Sequence, residues 1–154
     1  PPAPTLPPSP HPPLPPHLPP LVVITPNPLL PLPQPNSRLA ELTDGAFASV
    51  LDDPAASPDV VRRVILCCGK IYYDLALSRE RAEHPEVAIV RLERLYPFPT
   101  EDLETVLARY AAAERVAWVQ EEPRNMGARQ FVLPKICHLV PFRIPLGAIS
   151  RPER

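Results

Sequence analysis

The sequence predicts a small three-layer α/β domain, in which helices cover both faces of a doubly wound, mostly parallel sheet. The first observation is that β-branched runs and amphipathic stretches alternate in the order strand, helix, strand, helix, strand, helix, strand. Right-handed crossovers then place helices on both sides of the sheet. The second is length, because 154 residues allow one such domain and a tail.

Composition divides the chain into two regions. Residues 1–37 contain no Lys, Arg, Asp or Glu, and 17 of the 27 prolines lie there. Each proline removes an amide donor and fixes φ, so this stretch favours polyproline II over helix or central strand. We predict a disordered proline-rich tail over 1–20, a linker and edge segment over 21–59, and an α/β domain over 60–154 that is truncated at its C-terminus.

The linker offers little regular structure. Leu21–Ile24 has the composition of a strand but is bracketed by prolines. Further along, four apolar residues are expected to pack against the sheet edge: Leu39, Leu42, Phe47 and Val50.

The first half of the domain contains two strand patterns around a helix. Arg62–Cys68 is a β-branched run that ends at Gly69, which is typical of a strand-to-helix turn. Ile71–Glu83 carries an apolar stripe at helical spacing, and Pro85 ends it. Val87–Leu92 is the second strand.

The next helix has the strongest signal. Thr100 is a good N-cap, and Glu101 and Asp102 place acids in the first turn, where they suit the helix dipole. The spacing i, i+3, i+4, i+7, i+8 is filled by Leu103, Val106, Leu107, Tyr110 and Ala111.

The last three elements are less regular. Arg115–Glu121 is the third strand, and a weaker helix over Gly127–Leu139 is disturbed by Pro134. Phe142–Ile149 is the fourth strand; the proline within it predicts an edge position.

Charge and cysteine usage exclude several classes. With 16 basic and 17 acidic residues the net charge is −1, so the chain offers no field for nucleic acid or an anionic membrane. No apolar run is long enough to cross a bilayer. Cys67 and Cys68 are adjacent, and neither they nor Cys137 have zinc-ligand spacing. A reduced, cytoplasmic setting and no metal site are predicted.

Four ordered blocks resemble a known family: Cys67–Leu75, Val87–Glu93, Leu95–Pro99 and Trp118–Ala128. They read CCGKIYYDL, VAIVRLE, LYPFP and WVQEEPRNMGA. This series is similar to the C-terminal region of 2-oxoglutarate dehydrogenases, in their thiamine-diphosphate-dependent decarboxylating component. The resemblance implies a transketolase C-terminal-like fold.

The resemblance also implies a role. In the complete family enzyme, thiamine diphosphate and Mg²⁺ decarboxylate 2-oxoglutarate on the way to succinyl-CoA. The family's motif for these cofactors, a GDG run with a downstream Asn, is absent here. We therefore expect no catalytic, cofactor-binding or metal residues in this chain. Its implied partners are the rest of the decarboxylating component, its dimer mate and the dihydrolipoyl succinyltransferase complex.

Seven residues are candidates for an interface or a ligand crevice: Lys70, Arg91, Glu93, Glu121, Glu122, Asn125 and Gly127. Paired carboxylates at the carboxyl end of a strand lie where α/β domains bind ligands and could do acid–base work. Turn formation and packing against a partner are the preferred interpretation. Lys70 follows Gly69 as a phosphate-binding lysine would, but no phosphate-loop motif accompanies it. For Arg91 and Glu93 we expect an ion pair.

Two other function classes stay open. One is a stand-alone module that binds CoA or a nucleotide. The other is an adaptor fragment that uses the PxxP patterns of the proline tract, for example Pro12–Pro15. A GC-rich coding region read out of frame would also produce such a tract.

Overall fold

The computed structural model describes residues 46–153. The predicted tail, the strand at Leu21–Ile24 and the packing of Leu39 and Leu42 lie outside the described residues. One compact unit spans Ser49–Arg154. Its strands and helices are β1 (Val50–Leu51), β2 (Arg63–Cys67), α1 (Ile71–Ala76), a 3-10 helix (Arg79–Glu83), β3 (Val87–Leu92), α2 (Thr100–Arg109), β4 (Arg115–Pro123), α3 (Arg129–Leu139) and β5 (Leu146–Arg151).

The five strands form one sheet in the order β1-β3-β2-β4-β5. The pairs β2–β3, β2–β4 and β4–β5 are parallel, and only the two-residue β1 is antiparallel to its neighbour. From the central β2 the chain steps first to β3 and then back across to β4 and β5. The predicted α/β class with a mostly parallel sheet is therefore confirmed, and the last strand lies at the edge as expected.

One face of the sheet carries the main core. Alternate residues of a strand share a face, and on this face α2 and α3 cover the central strands. Trp118 of β4 is fully buried there, as is Leu103 of α2. The other buried members of this cluster are Val61, Val64, Leu66, Ala88, Val90, Leu92, Tyr110, Val116, Val132, Ile136 and Val140.

The opposite face is covered by shorter elements. Its residues on β2 are Arg63, Ile65 and Cys67, and α1 lies over the carboxyl half of this face with Tyr72 and Tyr73 buried. The 3-10 helix flanks the amino half. Helical cover is thus shorter on this face than the prediction of two covered faces implied.

The helix predicted over Ile71–Glu83 is wrong in extent. The α-helix ends at Ala76, and a separate 3-10 helix follows. Between them, the hydroxyl of Ser78 accepts a hydrogen bond from the amide of Glu80 at 3.3 Å. A serine side chain that bonds its own downstream backbone competes with helical pairing and starts a new turn.

Thr100 is not the N-cap. It is the first helical residue, and Pro99 precedes the helix without a side-chain cap. The Pro99 carbonyl accepts the amide of Leu103 at 3.0 Å, which makes it the first acceptor of the helix. A proline can occupy this position because the capping residue needs only its carbonyl there.

Two proline effects at the C-terminal end differ from expectation. Pro134 lies inside α3 without ending it; it is exposed, as is Gln130 one turn earlier, so water can satisfy the carbonyl that Pro134 cannot pair. The last strand starts after Pro145 and runs on to Arg151. The Pro145 carbonyl still accepts the amide of Val116 at 3.2 Å, so this proline leads into the strand instead of interrupting it.

Candidate functional site

The carboxyl ends of β2, β3 and β4 meet at one edge of the sheet. This is the edge at which open α/β sheets bind ligands, beside the strand where the winding reverses. Lys70 follows β2, Arg91 and Glu93 lie at the end of β3, and Glu121 and Glu122 lie near the end of β4. The fold thus brings the sequence-predicted residues to the same edge, which we call the carboxyl edge.

Lys70 is held between two carboxylates. Its Nζ lies 2.6 Å from Asp74 Oδ2 and 2.8 Å from Glu121 Oε1. Hydrogen bonds to Asp74 and then to Glu121 raise the pKa of Lys70, so the ammonium stays charged. Its charge is already balanced by these two acids, which leaves no net positive charge for a phosphate.

Arg91 is a buried cation under two aromatic rings. Its guanidinium carbon lies 4.3 Å from the ring centre of Tyr72 and 5.2 Å from that of Tyr73, and Nη1 donates to the Tyr73 hydroxyl at 2.8 Å. Its Nε is 2.5 Å from Glu93 Oε1. The ion pair expected from the sequence is present, and stacking on tyrosine rings is a use to which arginine is well suited.

Burial changes the pKa of the Glu93 carboxyl. Desolvation raises the pKa of its carboxyl, and the neighbouring Arg91 partly offsets that rise. The pair occupies the end of β3, next to Cys67 of β2. No further polar group is needed to explain the position of Glu93.

Glu122, Asn125 and Gly127 form the turn between β4 and α3. Gly127 has φ +69°, and a Cβ there would lie 3.1 Å from the side chain of Glu122. Both the left-handed backbone and the close approach of Glu122 therefore require glycine. The Met126 amide donates to the Pro123 carbonyl at 2.9 Å and closes the turn around Asn125.

Gln120 organises this turn and was missed as a site residue. Its Oε1 accepts from the indole of Trp118 and from the amide of Arg129, both at 3.0 Å. Its Nε2 donates to three carbonyls of the turn, those of Glu122, Pro123 and Met126, at 3.3, 3.1 and 2.8 Å. The sequence did contain a signal for this role. Strand alternation places Gln120 on the core face of β4, and a polar side chain buried there needs hydrogen-bond partners.

A second missed cluster ties β1 to the domain. Asp53 is buried, and its Oδ2 accepts from the amide of Ile89 at 2.9 Å and from Arg81 at 2.7 Å. The preceding Asp52 accepts from Arg109 and from the hydroxyl of Tyr110. Adjacent acids in a loop gave no pattern from which these partners could be inferred.

The cysteines are free thiols. Burial raises the pKa of Cys67 to about 12 and that of Cys68 to about 11. The Cys67 thiol donates to the Val90 carbonyl at 3.8 Å. Because a thiol reacts as its thiolate, both are poor nucleophiles at neutral pH.

The described residues contain no group of three or more His, Cys, Asp or Glu arranged to hold a metal ion. Within residues 46–153, no helix is long and apolar enough to cross a membrane. An apolar cavity of 290 Å³ lies at the other, amino edge of the sheet between the ends of α2 and α3. Its walls include Val64, Leu107, Val116 and Ile144, and none of the seven predicted residues.

Comparison with known proteins finds similar sequences. Residues 36–152 match the family model described as 2-oxoglutarate dehydrogenase C-terminal. The chain is 40% identical over 141 residues to the 2-oxoglutarate dehydrogenase E1 component of Bacillus mycoides (strain KBAB4), covering 88% of this chain and 15% of that protein. For the protein of the same name from Bacillus cereus (strain G9842) the identity is 39% with the same coverage. The chain thus spans about 15% of the length of these relatives, and it belongs to the 2-oxoglutarate dehydrogenase C-terminal family.

Proposed function

We propose that this chain serves as a non-catalytic C-terminal domain of a 2-oxoglutarate dehydrogenase decarboxylating component, with a transketolase C-terminal-like fold. One observation carries the proposal. At the carboxyl edge five charged side chains are bonded to one another: Lys70 to Asp74 and Glu121, and Arg91 to Glu93. A general acid or base needs to face substrate, whereas these groups stabilise the edge on which the domain is assembled.

The cofactors of the complete enzyme are assigned to its other domains. Mg²⁺ prefers carboxylate and carbonyl oxygens in octahedral geometry, and residues 46–153 offer no cluster of three such side chains. We assign no step of catalysis to residues 46–153.

The proposed role is to cover the catalytic core and help fix subunit geometry. The partners would be the rest of the decarboxylating component, its dimer mate and the dihydrolipoyl succinyltransferase complex. The match to 15% of each relative's length supports a part that works within a longer polypeptide. The three free thiols are in keeping with the proposed cytoplasmic setting.

Two measurements test this proposal. The purified 154-residue chain, supplied with 2-oxoglutarate, thiamine diphosphate, Mg²⁺ and ferricyanide, is expected to show no turnover above background. In the Bacillus mycoides E1 component, exchange of the matching region for this chain is expected to retain 2-oxoglutarate dehydrogenase activity, whereas deletion of that region removes it. Turnover by the isolated chain, or a chimera no better than the deletion, would contradict the proposal.

A further inference from the structure

Within residues 46–153, no α-helix covers part of one sheet face. Strand alternation and register place Arg63 and Ile65 of β2, Arg115 and Ala117 of β4, and Ile149 of β5 on the face of α1. We call these five residues the open face. Ile149 is 60% exposed, and Ile65 and Ala117 are half-buried. On the opposite face α2 and α3 bury residues of β2 and β4, such as Val64 and Trp118.

Physical chemistry disfavours such a surface in isolation. Parallel sheets occur almost only where both faces are covered, because each strand is apolar on both sides. The α1 helix spans six residues and lies over the carboxyl half of its face. The amino half of β2 and β4, and the adjoining β5, are therefore left for another element to cover.

The charges indicate the chemistry of that element. Arg63 and Arg115 are direct partners in the parallel register of β2 and β4, and both are exposed. Like charges on neighbouring strand positions repel each other. Among the described residues neither arginine forms a salt bridge. Of the acids nearby, Glu86 attracts Arg63 without forming a salt bridge and is bonded to His84 at 3.1 Å, and Glu114 pairs with Arg62 at 3.9 Å.

A small groove borders the open face. It has a volume of 190 Å³ and lies between β2, β3 and the 3-10 helix, with Arg63 at its rim. Its apolar walls are Ile65, Leu75, Val87 and Ile89, and its polar walls include Ser78, Glu80, Arg81 and His84. This is room for one aliphatic or aromatic side chain, which makes the groove an anchor pocket of the kind found at protein interfaces.

We propose that the open face is the surface by which this domain docks on the remainder of its own longer polypeptide. The docked element presents an apolar side chain to the groove and carboxylates to Arg63 and Arg115. This inference rests on the proposed function, and the 15% share of the relatives' length means that most of such a polypeptide lies outside this domain. Bidentate arginine–carboxylate pairs would remove the repulsion between the two cations.

The test uses the chimera of the Bacillus mycoides E1 component that carries this chain. Arg63→Glu/Arg115→Glu is expected to lower assembly and activity at least tenfold, with Arg63→Gln/Arg115→Gln intermediate and Ile149→Asp also impaired. The control Arg124→Glu/Arg143→Glu makes the same charge change at two exposed arginines outside the open face and the groove, and it is expected to leave assembly and activity unchanged. Circular dichroism of each free variant chain checks that the domain still folds.

The outcomes separate the two proposals. An active wild-type chimera whose open-face variants assemble as well as the control would overturn the docking surface and leave the proposed function standing. An inactive wild-type chimera would overturn both. Self-association of the free chain that Arg63→Glu/Arg115→Glu abolishes would assign the face to a second copy, and would likewise overturn the proposal.

Discussion

At the scale of single residues, one amide side chain holds together the turn that follows β4. Gln120 is 5% exposed and uses both of its amide atoms, so Trp118, the turn carbonyls and the first amide of α3 share one partner. A shorter side chain would leave several buried donors and acceptors unpaired. The hydrogen bonds that it makes therefore explain why a glutamine occupies this position.

Replacing Gln120 by Ala is expected to destabilise the domain by ~2–4 kcal/mol, because unpaired buried polar groups each cost about 1–3 kcal/mol. Urea denaturation followed by circular dichroism measures the change. The matched control is Gln130→Ala, at an exposed position of α3. Equal urea midpoints for the two variants would contradict this role of Gln120.

Glu93 gives a pH-dependent prediction. Burial raises the pKa of its carboxyl above the ordinary value of 4.5. The stability that Glu93 contributes is therefore fully present below pH 4.5 and is lost as pH rises through the higher folded-state pKa. Glu93→Gln cannot ionise, so its unfolding free energy relative to the native chain should improve from about pH 4 to about pH 7.

Urea denaturation of both chains across this range makes the comparison. Glu101→Gln, at an exposed position in α2, is the matched control for removing a carboxylate. A Glu93→Gln variant that loses stability relative to the native chain as pH rises would show that the Arg91 ion pair outweighs the desolvation of Glu93.

At the scale of elements, the Asp53 side chain makes a hydrogen bond to β3 that the short strand β1 cannot make. β1 pairs with β3 through Leu51 and Val50 alone. The outward amide of Ile89 would lack a partner, and the Asp53 carboxylate supplies one while also binding Arg81 of the 3-10 helix. A side chain thus continues the hydrogen bonding that a longer β1 would provide.

Asp53→Ala is expected to cost ~2–4 kcal/mol, since it leaves the buried Ile89 amide unpaired and removes the carboxylate partner of the largely buried Arg81. In hydrogen exchange, the Ile89 amide should lose more protection in Asp53→Ala than the change in global stability accounts for. Asp59→Ala, at an exposed position in the same loop region, serves as control. If the Ile89 amide were equally protected in Asp53→Ala, the Asp53 carboxylate would not be taking the place of a longer β1.

The bounds of an element could be predicted well only where its sequence pattern was strong. Val87–Leu92 has the predicted bounds because every position of this central strand is apolar or paired. The break at Ser78 depends on one local hydrogen bond that periodicity does not register. Lys70 and Glu121 could be placed at one edge from strand order, but their direct contact depends on the register of β2 and β4, which emerges only in the folded sheet.

At the scale of the whole molecule, the single tryptophan reports on the entire core. Trp118 is 0% exposed and lies in the cluster that joins β2, β3 and β4 to α2 and α3. Small single domains usually unfold in one cooperative transition. A probe at this position should therefore follow global unfolding and not a local event.

We expect the urea transitions of Trp118 fluorescence and far-ultraviolet circular dichroism to coincide, with a slope of about 1–3 kcal/mol per molar urea. The fluorescence maximum should shift to longer wavelength as the indole meets water. A fluorescence transition at lower urea than the loss of helix would show that the α2–α3 side opens before the sheet.

The position of β5 has a consequence for the isolated chain in concentrated solution. β5 ends the sheet, and a free strand edge is a template on which further copies can add and grow into aggregates. Arg151 places a charge at the carboxyl end of this strand, and charged side chains on an edge disfavour such pairing. Arg151→Val is therefore expected to shorten the time for which the purified chain stays monodisperse in light scattering.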